Sequence, residues 1–112
     1  MKTLRLATFA VAAALATAGT ASAAAPAAVI HIHNFAFVPA TLTVPAGTTV
    51  TVINDDDEPH TATAVDKSFD SEAIDTNGKW THAFAAPGRF AYFCEMHPMM
   101  KGTIVVTAAG AK

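Results

Sequence analysis

From residue 29 onward, hydrophobic and polar residues alternate over short stretches that proline- and glycine-rich turns separate. The clearest alternation is TTVTVIN at Thr48–Asn54, which has the two-residue period of a strand with one buried face. Stretches rich in β-branched and aromatic residues predict six further strands, at Val29–Phe37, Thr41–Val44, His60–Val65, Lys79–Phe84, Arg89–Cys94 and Thr103–Thr107. This pattern, without any helical period, predicts an all-β sandwich.

The first residues follow a different pattern. Lys2 and Arg5 precede an uncharged apolar run at Leu6–Ala18, and the small residues Ala-Ser-Ala follow at 21–23. This is the pattern of a signal peptide, and the run is shorter than the roughly 20 apolar residues that span a bilayer. The sequence therefore predicts a signal peptide over residues 1–23, one domain over residues 24–112 with its ordered core at about 29–107, and export to the periplasm.

The net charge of the chain limits the kinds of partner that it can bind. The full sequence carries a formal net charge of −2, which becomes −4 when Lys2 and Arg5 leave with the signal peptide. A net negative charge argues against nucleic acid and anionic membranes as partners. We therefore expect a monomer that does not insert into a membrane.

Cys94 is the only cysteine of the chain. Exported domains of this size often depend on disulfides, but a single cysteine cannot form an internal one. An unpaired thiol in an oxidising compartment points to a bound group that occupies it. The alternative is a cysteine that serves as a small buried apolar residue.

The segment Cys94–Met100 (CEMHPMM) carries the most informative chemistry. It places a thiolate, an imidazole and a thioether within seven residues at the end of a strand, and His60 lies 34 residues before Cys94. Two histidines, one cysteine and a weak axial methionine form the blue-copper electron-transfer site, whereas this donor set suits zinc poorly. We predict one copper ion held by His60, Cys94, His97 and Met100, with Met99 pointing outward.

Four stretches of the chain resemble the cupredoxins, and most of all their amicyanin and plastocyanin branch. They are NFAFVPATLTVPAGTTV, VINDDDEPHTATA, FDSEAI and APGRFAYFCEMHPMMKGTIVV. The resemblance implies a Greek-key sandwich of seven to eight strands and a single copper ion with the four ligands named above. In these relatives an asparagine commonly follows the first ligand histidine and ties the ligand loops together. Here that residue is Thr61, whose hydroxyl is expected to make a weaker tie.

The other histidines and the acidic run are not predicted to bind the copper ion. His31 and His33 lie two residues apart, so on a strand they share one face; we expect a solvated edge position, with a surface metal site as the alternative. His82 lies between Trp80 and Phe84, which favours a structural role. Asp55–Glu58 is interpreted as a solvated acidic loop, because no spaced calcium-binding loop accompanies it.

Together these patterns predict a periplasmic electron carrier, not an enzyme, that moves single electrons between Cu(I) and Cu(II). The alternative is a periplasmic protein that carries or stores copper with the same ligands. The expected partners are redox proteins, such as a basic cytochrome c or a dehydrogenase. The electron would cross at the exposed edge of His97, and the acidic run would attract a positively charged partner.

Overall fold

A computed structural model describes residues 27–109. The predicted signal peptide, residues 1–23, lies outside this range. Residues 27–109 contain no helix that is long and apolar enough to cross a membrane. The described residues form eight strands, which are β1 (Ala27–Ile32), β2 (Phe37–Val38), β3 (Thr41–Pro45), β4 (Thr48–Asn54), β5 (Thr63–Ala64), β6 (Lys79–Phe84), β7 (Gly88–Cys94) and β8 (His97–Thr107).

The strands form two four-stranded sheets, ordered β2-β1-β4-β6 and β3-β8-β7-β5. Each sheet is mixed, because β1 pairs with β4 and β3 pairs with β8 in parallel, whereas the other neighbours are antiparallel. The predicted all-β Greek-key sandwich of seven to eight strands is confirmed.

The core lies between the two sheets and follows the alternation read from the sequence. In β4 every second residue from Thr48 to Asn54 is buried, and in β8 the same holds from Met100 to Val106. Burying a Val, Leu, Ile, Phe or Met side chain contributes about 1.5–3 kcal/mol. These two strands therefore supply much of the apolar face that holds the sandwich together.

An aromatic cluster fills one part of the core beside β6. This strand has the predicted bounds, and its side chains at Trp80, His82 and Phe84 lie on the more buried face. The His82 ring stacks on Trp80 at a centroid distance of 5.3 Å and meets Phe84 edge-on at 4.9 Å. The predicted structural role of His82 is confirmed.

The partial burial of His82 predicts a pH-dependent stability. Desolvation lowers the pKa of His82 below its ordinary value of 6.5. As the pH falls below 6.5, the unfolded state therefore takes up a proton before the folded state does, and the folded state loses stability. We expect urea unfolding of the metal-free protein to show this loss, and His82→Gln to reduce its slope with pH. Parallel profiles for the two proteins would contradict this explanation.

One predicted strand, Val29–Phe37, is wrong, because the chain turns inside it. His33 and Ala36 exchange backbone hydrogen bonds of 2.9 and 3.1 Å, and Asn34 and Phe35 have positive φ values of 52° and 58°. The turn separates β1 from β2, which then pair antiparallel. Asn34 is a residue type that often occurs in turns, but the apolar residues Phe35, Ala36 and Phe37 that follow it favoured a continuous strand.

Two other strand predictions near the proposed ligands also need correction. His60 was placed in a strand, but β5 covers only Thr63–Ala64. Instead, the backbone of His60 exchanges hydrogen bonds of 3.2 and 2.7 Å with Ile74. The last strand begins at His97 and not at Thr103, so the segment after Cys94 is a short turn followed by a strand.

Candidate metal centre

Three of the predicted ligands converge at one end of the sandwich. His60 precedes β5, Cys94 ends β7 and His97 begins β8, and their possible ligand atoms all lie within 4.8 Å of one another. Cys94 Sγ lies 3.7 Å from His60 Nδ1 and 3.8 Å from His97 Nδ1. Each histidine thus presents the same ring nitrogen to the thiol.

The hairpin between β7 and β8 brings two of these side chains together. Cys94 pairs with His97 across a two-residue turn formed by Glu95 and Met96, and the ladder is irregular between Phe93 and Cys94. The turn leaves His97 with 33% of its side chain exposed, whereas His60 and Cys94 are fully buried. The centre therefore has two shielded donors and one that reaches the surface.

Thr61 ties the His60 segment to the Cys94 turn. Its backbone N–H donates to Cys94 Sγ at 3.4 Å, and its hydroxyl oxygen accepts the backbone N–H of Glu95 at 2.9 Å. Thr63 extends this link, since its hydroxyl lies 2.9 Å from that of Thr61 and donates to Glu95 Oε1 at 3.0 Å. The expected tie between the ligand loops is present and is made by the Thr61 hydroxyl.

The two neighbouring methionines differ in exposure. Met100 is 3% exposed, whereas Met99 is 88% exposed. They follow His97 on β8, where successive side chains point to opposite faces. The predicted outward position of Met99 is confirmed, and Met100 faces the interior at the same end of β8 as His97.

Asp56 is a contact residue of the centre that the sequence interpretation missed. Its Oδ2 lies 3.0 Å from His60 Nε2, and its carboxylate accepts the backbone N–H groups of Asn34 at 2.7 Å and Phe35 at 2.8 Å. Burial raises the pKa of Asp56, but the backbone bonds from Phe35 and Asn34 and the contact with His60 together hold it below 3.8. Asp56 is therefore not a solvated member of the acidic run, and its place within four consecutive acids gave no sequence signal.

Two other acids of the run contact histidines at the surface. Glu58 Oε2 lies 3.6 Å from His97 Nε2, and Asp55 Oδ2 lies 2.7 Å from His31 Nδ1. Exposed ion pairs of this kind contribute at most about 1 kcal/mol. His31 and His33 are exposed and do not belong to the donor cluster found among residues 27–109. The alternative of a surface metal site there gains no support.

The comparison with known proteins agrees with this geometry. Residues 5–106 match the Cupredoxin-like domain family. The chain belongs to this family.

Individual relatives share the sequence and the fold of this cupredoxin-like chain. Amicyanin-alpha of Methylorubrum extorquens is 34% identical over 68 residues, which cover 56% of this chain and 57% of the relative. The match thus spans just over half of that protein. The purple cupredoxin from Nitrosopumilus maritimus superposes with a TM-score of 0.68 and 32% identity, covering 71% of this chain and 99% of its own. The Cu(I) form of an amicyanin mutant has a TM-score of 0.69 and 28% identity, covering 77% and 87%.

The chemistry of the donors fits copper. A cysteine thiolate is a soft ligand, and the two imidazoles suit both Cu(I) and Cu(II). The three donors already lie together, and hydrogen bonds of Thr61 join the loops that carry them. These residues form a type-1 copper site for one ion. They are the residues that the sequence predicted as ligands.

Proposed function

We propose that this protein is a periplasmic electron carrier that uses one copper ion bound by His60, Cys94, His97 and Met100. The observation that carries the proposal is the convergence of His60 Nδ1, Cys94 Sγ and His97 Nδ1 within 4.8 Å in a cupredoxin-like chain. Bound copper supplies a one-electron couple. Amicyanins and a cupredoxin among its relatives support the carrier role over an enzymatic one.

The chain's own residues favour this role in two ways. Burial of His60 and Cys94 excludes water, and the Thr61 hydrogen bonds hold the ligand loops in one arrangement. A fixed arrangement keeps the structural change between the two oxidation states small. The partly exposed ring of His97 then provides a short route for the electron to a partner.

One observation favours copper handling as a second function. Met96 and Met99 are exposed on either side of His97, and thioethers are soft donors that select Cu(I). Such donors at the surface could pass Cu(I) to or from the buried ligands.

Voltammetry and copper competition together separate the two functions. For an electron carrier we expect a reversible one-electron couple and slow copper loss to an excess of a Cu(I) chelator. Absence of a reversible couple would overturn the proposed function. Rapid transfer of Cu(I) to the chelator, reduced in the variant with Met96 and Met99 both changed to leucine, would identify a copper carrier instead.

The periplasmic location rests on the leader pattern of residues 1–23. Expression of the full chain in a Gram-negative host, followed by fractionation and N-terminal sequencing, tests it. We expect a periplasmic product that begins at Ala24. A cytoplasmic product that retains Lys2 and Arg5 would contradict the proposed location.

The different exposure of the two methionines predicts different redox effects. An axial ligand tunes the potential of a blue-copper site, so we expect Met100→Gln to retain copper and lower the reduction potential. Met99→Gln changes an exposed side chain and should leave the potential near that of the wild type. Voltammetry of both variants tests the assignment, and the opposite ranking would show that Met100 is not the axial ligand.

The surface around His97 combines apolar side chains with acidic ones. Phe35, Met96, Pro98 and Met99 are exposed, and they offer an uncharged contact for a redox protein. Asp55 and Asp56 already have partners in His31 and His60. Asp57 is exposed, and Glu58 keeps 56% of its side chain exposed although its Oε2 lies 3.6 Å from His97 Nε2. These two acids are the ones we expect to steer a positively charged partner.

The role proposed for these two acids predicts how the rate of association with a partner depends on salt concentration. We expect the Asp57→Asn/Glu58→Gln variant to slow association with a basic cytochrome c by up to about 10-fold at low salt. The difference should shrink near physiological salt, where the Debye length is about 8 Å. Stopped-flow electron transfer measures it, and Asp66→Asn/Asp75→Asn provides the same charge change outside the run. Equal rates for the two double variants would rule out local steering.

A further inference from the structure

The Asp56 carboxylate receives contacts from three directions. Oδ1 accepts the N–H of Asn34, while Oδ2 accepts the N–H of Phe35 and contacts His60 Nε2. Asp56 is itself held in place, because its own N–H donates to Asn54 Oδ1 at 2.9 Å and Asn54 is fully buried. One carboxylate thus joins the β1–β2 turn to the segment that carries His60.

The turn that Asp56 holds has an unfavourable backbone conformation. Asn34 and Phe35 are consecutive residues with positive φ, a conformation that crowds the Cβ of an L-residue and that only glycine, and to a lesser degree asparagine, adopts readily. Hydrogen bonds from backbone N–H groups to a carboxylate are stronger than those to a neutral acceptor. The two bonds to Asp56 therefore offset the cost of this conformation.

The conformation places the Phe35 ring against both histidines. Its centroid lies 5.3 Å from that of His60 and 5.1 Å from that of His97, at interplanar angles of 89° and 74°. Phe35 is 47% exposed, so burial alone does not fix its position. The backbone bonds to Asp56 hold the turn that carries this ring beside the imidazoles.

The contact at His60 Nε2 also favours one tautomer of this ring. A carboxylate accepts a hydrogen bond from Nε2–H, which leaves the Nδ1 lone pair directed at the Cys94 side of the centre. Outer carboxylates of this kind fix the tautomer and the ring orientation of a ligand histidine.

We propose that Asp56 is a positioning residue of the copper site, which orients His60 through Nε2 and holds the Phe35 ring against both imidazoles through the Asn34–Phe35 turn. The proposal rests on the proposed function for the identity of the metal. Its structural part, the placement of Phe35 and His60, concerns the metal-free protein as well.

Asp56→Asn and Asp57→Asn form a matched pair. Both remove one negative charge from the same loop, but Asp57 is exposed and makes no hydrogen bond among residues 27–109. Asparagine offers one acceptor oxygen where three donors meet. We expect Asp56→Asn to lower copper affinity by about 10- to 100-fold in chelator competition and to raise the reduction potential, because the carboxylate favours Cu(II). Asp57→Asn should remain near the wild type in both measurements.

The metal-free protein separates failure of this proposal from failure of the proposed function. In NMR spectra, we expect the ring protons of His60 and His97 to lose the ring-current shifts caused by Phe35 in Asp56→Asn, as in Phe35→Ala, and to keep them in Asp57→Asn. If the wild type binds no copper, the proposed function fails while this comparison still decides the positioning role. Equal spectra and equal copper affinities for the two asparagine variants would overturn the role of Asp56.

If Asp56→Asn does not fold on its own, the same substitution can be tested in a protein that carries Asn34→Gly. Glycine tolerates positive φ without steric cost, so Asn34→Gly relieves part of the strain in the turn. The double variant Asp56→Asn/Asn34→Gly should still bind copper about 10- to 100-fold more weakly than Asn34→Gly alone. Equal affinity in this pair would show that Asp56 does not orient His60.

Discussion

Cys94→Ser should abolish the intense visible absorption that we expect of the copper-loaded wild type. That band requires a direct bond between the thiolate and copper, and serine replaces a soft donor with a hard one that does not favour Cu(I). The substitution also replaces the sulfur atom that accepts the Thr61 N–H bond and lies 3.7 and 3.8 Å from the two imidazoles. No other described residue can supply a thiolate, because Cys94 is the only cysteine of the chain.

The measurement is the visible spectrum of both proteins loaded with stoichiometric Cu(II). Met99→Gln serves as the control, since this exposed side chain should not alter the colour. We expect a blue wild type, and a relative described as a purple cupredoxin makes the band position informative. A colourless wild type, or a coloured Cys94→Ser protein, would refute thiolate ligation.

The sequence predicted the parts of the fold that depend on local alternation. The strand Lys79–Phe84 was placed with its observed bounds, because its buried and exposed positions follow a two-residue period. The ligands His60, Cys94 and His97 were likewise predicted, since their donor types and spacing are specific to one kind of chemistry. The structure brings these three together as expected.

The sequence did not predict features that depend on contacts between distant segments. Phe35 begins the apolar run Phe35–Val38, yet it has a positive φ and donates its N–H to Asp56, which lies 21 residues away. Asp56 itself is one of four adjacent acids, and only the folded chain distinguishes it from exposed Asp57. The early start of β8 at His97 depends on pairing with Cys94, which the alternation of residues does not encode.

Gly102→Ala should strongly destabilise the fold. Gly102 lies opposite Tyr92 in the β7–β8 ladder, and a Cβ at this position would overlap Cζ and Oη of Tyr92 and lie 2.8 Å from Cε1. The ring has little space to move, because Tyr92 is 1% exposed and packs edge-on against Phe37 at 4.6 Å. Overpacking of a core in this way costs about 1–3 kcal/mol and occasionally more.

Thermal unfolding of the metal-free protein measures this effect, and we expect a fall in Tm of roughly 5–20 °C. The double variant Gly102→Ala/Tyr92→Leu identifies the cause, since a smaller side chain at residue 92 removes the overlap. In a double-mutant cycle, the cost of Gly102→Ala should therefore be smaller in the Tyr92→Leu background than in the wild type. An equal cost in both backgrounds would mean that the alanine destabilises the strand for a reason other than contact with the Tyr92 ring.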